Sequence, residues 1–140
     1  MNKINSNFKK LFEEKKFSEI IFLIENLENK EEISPGLLNL LGVSRLSQAG
    51  KKKDDYLLSL KNFESAYLKE KKSQIGLESL RNFINVTADY YTISDLPVSF
   101  DKVFEYFNEA IINFKYDREL IHAIIRVYKR CNNINKIIDS

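Results

Sequence analysis

Two side chains are the obvious places to look for chemistry: His122, the single histidine, and Cys131, the single cysteine. A lone imidazole with no Asp, Ser or Cys partner in sequence reach builds neither a nucleophilic triad nor a metal site. His122 is therefore expected to be a structural or surface residue. One thiol closes no intrachain disulfide and forms no thiolate metal cage. Cys131 is expected near a helix end as a small buried residue, in a reducing compartment. The four glycines are scattered, so no glycine-rich phosphate loop occurs. The runs Glu13-Glu14-Lys15-Lys16 and Lys69-Glu70-Lys71-Lys72 set opposite charges side by side along helices and read as solvated faces. Lys51-Lys52-Lys53 is followed at once by Asp54-Asp55, which weakens any appeal to an anionic surface. Nothing here assembles a catalytic constellation, and no enzyme activity, metal or cofactor is expected.

The bulk properties point the same way. The chain has 140 residues, 22 basic and 20 acidic, for a net charge of +2. That balance does not give the strong basic excess of a dedicated nucleic-acid binder. Hydrophobic residues make up 44%, enough for a core and too many for wholesale disorder. Four Gly and two Pro are too few for an all-β chain full of tight turns. The start, Met1 to Lys10, is polar and is not expected to act as a secretory leader. No window approaches about 18 uninterrupted apolar residues. The expectation is a cytoplasmic module that does not enter a membrane.

The elements that position these side chains are helices. Ile4, Phe8, Leu11 and Phe12 make one apolar stripe over 4–14. The next segment, 17–27, is apolar over more than half its girth at Phe17, Ile20, Ile21, Leu23, Ile24 and Leu27, so it should have neighbours on two sides. Ser34-Pro35 supplies an N-cap and a first-turn proline for a third helix ending near Gly50. Asp54 or Asp55 caps a fourth, from Tyr56 to about Lys71. A fifth spans about Ser73 to Tyr90, with Gly76 blurring its start. Asp95-Leu96-Pro97 marks a loop, and Tyr90-Tyr91 with Leu96-Pro97 is a candidate contact there. Ser99 caps a sixth helix over 100–114. A seventh runs 118–130, and Asn132-Asn133 is expected to break it before an unfinished eighth at 134–139.

The helices recur. A unit beginning at Pro35, 34 residues after Met1, places Leu38, Leu41 and Gly42 at its fourth, seventh and eighth positions. After a short insertion at 51–55, Tyr56, Ser59, Phe63 and Ala66 follow as aromatic, small, Phe and Ala. Leu77 and Leu80, then Phe100, Val103, Phe107 and Ala110, repeat the scheme, as do Ile121, Ile124, Ile125 and Tyr128. With these residues the chain resembles the tetratricopeptide repeat (TPR) family. It departs from that pattern at Asn7, Arg45 and Arg81, where apolar, aromatic or small residues are usual.

The resemblance implies an all-α, right-handed stack of antiparallel helix hairpins, a TPR-like α-solenoid of about seven helices. Its units are 1–34, 35–73, 74–117 and an incomplete 118–140. In such a stack each pair covers its neighbour, small Gly42, Ala66 and Ala110 let axes approach, and Phe63 and Phe107 fill the gaps. The first helices of each unit would line a concave face. By register its polar positions are Asn5, Lys9, Asn39, Asn82, Asn85, His122, Arg126 and Lys129, with Glu78 among them and Phe12, Val43 and Leu46 as apolar spots. The implied function is a non-catalytic protein-interaction module gripping a peptide or partner domain. The family's carboxylate-clamp set cannot be placed on these positions. Such arrays often form the N-terminal part of larger proteins, bacterial glycosyl- and methyltransferases among them. Ile134, Ile137 and Ile138 would then be an edge that continues or associates. The alternative is polyanion or nucleic-acid binding through Lys9, Arg126, Lys129 and Arg130.

Overall fold

The computed structural model describes residues 2–27, 33–90 and 100–139. These residues form seven helices and no strand: α1 (Asn2–Glu13), α2 (Phe17–Glu25), α3 (Pro35–Ser47), α4 (Lys53–Lys69), α5 (Gln74–Tyr90), α6 (Phe100–Phe114) and α7 (Arg118–Asp139). The fold class is all-α, as the periodicity requires.

Local sequence explains most boundaries. Ser34 Oγ accepts from Leu37 N at 3.2 Å, and Pro35 opens α3. Asp55 Oδ2 accepts from Lys52 N at 2.7 Å, fastening the first turn of α4. Ser73 Oγ accepts from Gly76 N at 3.1 Å and starts α5. Gly50 has φ +71° in the turn beyond α3, a conformation glycine adopts at no steric cost. The links into α2 and α7 use non-glycine residues for the same purpose: Lys15 has φ 60° and Tyr116 φ 65°. Ser99 and the Asp95-Leu96-Pro97 turn lie outside the described residues.

Two boundaries differ from expectation. α4 begins at Lys53 with Lys52 at its N-cap, so Asp54 and Asp55, expected to cap it, lie inside its first turn. Asn132-Asn133 does not end α7, which continues to Asp139 as one helix of 22 residues. Asparagine costs a helix well under about 1 kcal/mol per residue, and neither Gly nor Pro is present to stop it.

The pairing of side chains gives the relative directions. Arg45 meets Asn62 and Gln48 meets Asp55, so α3 and α4 run antiparallel. Tyr106 Oη donates to Glu64 and Lys71 Nζ to Glu109, so α4 and α6 run the same way. Arg81 meets Asp117, while Arg126 meets Asn85 and Asp89; α5 and α7 therefore also run in the same direction.

The interior is divided. Phe8, Ile20, Ile24 and Leu41 form a smaller cluster, with Leu37 and Leu40 packed on it. A larger one holds Leu60, Phe63, Tyr67, Leu80, Phe83, Val103, Tyr106, Leu120 and Val127, with Val43 and Leu46 against it. α3 thus touches both. At the α3–α4 crossing, a Cβ on Gly42 would lie 2.5 Å from Phe63 Cε1, and Phe63 is fully buried. Gly42 carries no side chain because the ring occupies that volume. Phe107, expected to play the same part between α5 and α6, is only half-buried. Tyr106 fills the interior there, 5.3 Å from the Tyr67 ring and 5.9 Å from Phe83.

Candidate binding face

The stripe Glu78, Arg81, Asn82, Asn85, Asp89 recurs every three or four residues and so occupies one side of α5. On α7 the matching stripe is Glu119, His122, Ala123, Arg126. Because the two helices run the same way, the stripes face each other along their length. Between them lies an open cavity of about 540 Å³, lined by Glu78, Arg81, Asn82, Asn85, Glu119, His122 and Ala123.

Several side chains expected on this face are brought together by direct contact. Asn82 Nδ2 donates to Asn39 Oδ1 at 3.0 Å, joining α5 to α3. Arg126 Nη1 donates to Asn85 Oδ1 at 2.7 Å, and its Nη2 pairs with Asp89. His122 is exposed and lines the cavity. Lys129 is exposed farther along α7. Lys9 lies elsewhere, at a second cavity of about 550 Å³ between α1 and α3, with Phe8, Phe12, Leu37 and Leu40. Phe12 lines that second cavity, and Val43 and Leu46, also expected as apolar spots on the face, pack on the larger core cluster. The side chains of Asn5, Cys131, Ile134, Ile137 and Ile138 lie outside the described residues, as does Tyr91.

Sequence reasoning passed over the charged residues that hold this face. Arg81 donates Nε to Asp117 Oδ1 at 3.0 Å and pairs Nη2 with Asp117 Oδ2, a two-bond fork; its Nη1 reaches Glu119 at 3.2 Å. Asp117 also accepts from Leu120 N at 2.9 Å, capping α7. The hydrogen bond to Arg81 holds the Asp117 carboxyl below the usual carboxylate range, with the Leu120 N–H adding to it. In return the same bond raises the Arg81 guanidinium further, against the opposing effect of burial. The signal was in the sequence. An arginine on an inward side of a helix needs a carboxylate partner, and Asp117 stands at the N-terminal cap of α7.

Arg45 obeys the same logic on α3. It is buried, donates Nε to Asn62 at 3.2 Å and pairs with Glu25 of α2. Arg45 and Arg81, two of the three departures from the tetratricopeptide pattern, thus each fasten one helix to another.

Among the described residues, no group of three or more His, Cys, Asp or Glu side chains is arranged to hold a metal ion. Among them, too, no helix is long and apolar enough to cross a membrane. No family model matches the sequence, and comparisons with curated proteins and with solved structures gave no match.

Proposed function

We propose that the chain is a non-catalytic, TPR-like interaction module whose odd-numbered helices form a binding face for an extended peptide or partner segment. The observation that carries this reading is the cross-helix polar ladder, Asn39–Asn82 and Asn85–Arg126–Asp89, bordering the α5–α7 cavity. Amide side chains held at fixed spacing can hydrogen-bond the backbone of an extended peptide without reading its sequence. Two further observations support a repeating stack. Helices two apart in the series, α4 with α6 and α5 with α7, run parallel, and the interior is split into successive clusters. In this reading the module works in the cytoplasm as part of a larger assembly. No observation favours the polyanion reading: Arg126 faces Asp89, and Lys9 borders a different cavity.

The test is selection of peptides from a random library displayed against the full chain, followed by mapping on the isotope-labelled protein. Selected peptides are expected to shift amide signals of α5 and α7 and to lose about thirtyfold in affinity on Asn82→Ala/Asn85→Ala, at about 1 kcal/mol per hydrogen bond. Peptides that perturb only α4 and α6, or a library that yields none, would overturn the reading.

A further inference from the structure

We propose that the α5–α7 cavity receives a cationic side chain, an arginine guanidinium or lysine ammonium, from the bound segment; this rests on the interaction-module reading above. What favours a cation is which groups around the cavity are already engaged.

A pocket for a carboxylate needs a cation with charge to offer. Neither candidate here offers an uncompensated charge, because each guanidinium is already paired with a carboxylate. Arg81 directs Nε and Nη2 at Asp117 and Nη1 at Glu119, and it is mostly buried, with 19% of its side chain exposed. Arg126 is held by Asn85 and Asp89. An acidic guest would meet the charge of Asp117 and Glu119 beside Arg81 and of Asp89 beside Arg126.

The acceptors are in the opposite condition. Glu78 is exposed at the cavity wall, where its charge acts on Arg81 with no hydrogen bond or ion pair to it. Glu119 uses Oε2 on Arg81, with 73% of its side chain exposed, and retains its other oxygen. Asn82 donates to Asn39 through its nitrogen, which leaves its carbonyl oxygen as an acceptor beside the cavity. Charge agrees with this count. Among the lining residues Glu78 and Glu119 carry two negative charges and Arg81 one positive, for a local balance of −1 in a chain whose net charge is +2. The buried methyl of Ala123 forms a small apolar floor against which the methylene stem of Arg or Lys can lie. The carboxylates sit at the rim, where the charged head remains partly hydrated, so the contact needs no full desolvation.

The experiment titrates the labelled full chain with three peptides identical except for a central Arg, Glu or Gln. The Arg peptide is expected to shift the amide signals of α5 and α7 most strongly, with an effect that weakens as salt is added. Glu78→Gln and Glu119→Gln should each weaken it by about two- to fivefold, as half-exposed ion pairs do, with the melting temperature little changed for Glu78→Gln. Glu78→Arg should move the preference toward the Glu peptide. If the Glu or Gln peptide binds the same helices as well as the Arg peptide does, the cationic guest is wrong and the binding face stands. Unaltered affinity in both Gln variants would likewise overturn the cationic guest alone. If none of the three perturbs either helix, and display selection also fails, both proposals fall together.

Discussion

The α3–α4 crossing and the α5–α7 crossing hold their helices together by different means. The first is a matter of shape: the Phe63 ring sits in the space a Gly42 side chain would need, and Ser59 Oγ donates to the Gly42 carbonyl at 3.1 Å. The second relies on charge: Arg81 forks onto Asp117, and Arg126 bridges Asn85 and Asp89. A shape-held junction is insensitive to salt and pH but intolerant of one methyl group. A charge-held junction tolerates volume changes and responds to the solution. It also leaves an open, polar seam between its helices, which is where the proposed binding face lies.

The largest expected effect strikes the shape-held side. Phe63→Ala should cost about 3–5 kcal/mol, because the ring is fully buried and its loss opens a cavity. Phe107→Ala should cost less, because Phe107 is only partly buried against the larger cluster; chemical denaturation of the two variants compares them directly. Equal losses would mean that α6 packs with Phe107 rather than Tyr106 inward.

Glycine-to-alanine changes come next. Gly76→Ala would drive a Cβ into the Glu70 carbonyl oxygen, and Gly42→Ala would set one 2.5 Å from Phe63 Cε1. Overpacking of this kind costs about 1–3 kcal/mol. Gly76→Ala should be the worse of the two, since it meets backbone rather than a ring. Melting curves that show no loss in either variant would remove shape as the basis of these contacts.

The charge-held side is sharpened by Asp117→Asn, which keeps a capping side chain while deleting the ion pair. At neutral pH the loss should be about 1.5–3 kcal/mol. The folded-state pKa of Asp117 is lowered, so its contribution is fully present above the ordinary aspartate value of about 3.9 and vanishes as pH falls through the lower folded value. Wild type and Asp117→Asn should therefore differ in stability at pH 7, begin to approach each other below about pH 4 and converge only once pH has fallen through the lowered folded-state pKa of Asp117. A gap that persists there would mean that the effect is not ionic.

The smallest effect concerns the turns. Lys15→Gly and Tyr116→Gly relieve left-handed backbone at non-glycine positions and should raise stability by up to about 1 kcal/mol. A loss in either, read from the same melting curves, would show that the side chain contributes more than the strain removes.

The two crossings also differ in how far the sequence disclosed them. Leu38, Leu41, Gly42, Phe63 and Ala66 declared the α3–α4 contact because packing at close range demands particular residue sizes at helical spacing. The fork between Arg81 and Asp117 joins residues 36 apart, and nothing in composition says which of many carboxylates an arginine will meet until the helices are paired. The polar stripe on α5 and α7 was legible from register, and five of its members, Asn39, Asn82, Asn85, His122 and Arg126, converge on one face. Of its carboxylates Glu78 was legible from the same register, whereas Asp89, Asp117 and Glu119 were not, because an acid on a helix ordinarily signifies only solvent. α6 shows the limit of register alone. After the long insertion at 91–99, a rotation of one residue exchanges Phe107 for Tyr106, and both are aromatic.

α3 adjoins both apolar clusters, offering Leu37, Leu40 and Leu41 to one and Val43 and Leu46 to the other. A chain assembled in this way need not come apart in a single step. The α1–α2 end can detach and leave the larger cluster nearly intact, whereas loosening α3 unseats both. Hydrogen exchange in the native protein should therefore record two tiers of protection, lower for α1 and α2 and higher for α4 and α5. Anything that grips α3 and α5 at once would raise the lower tier from a distance, without touching the first two helices.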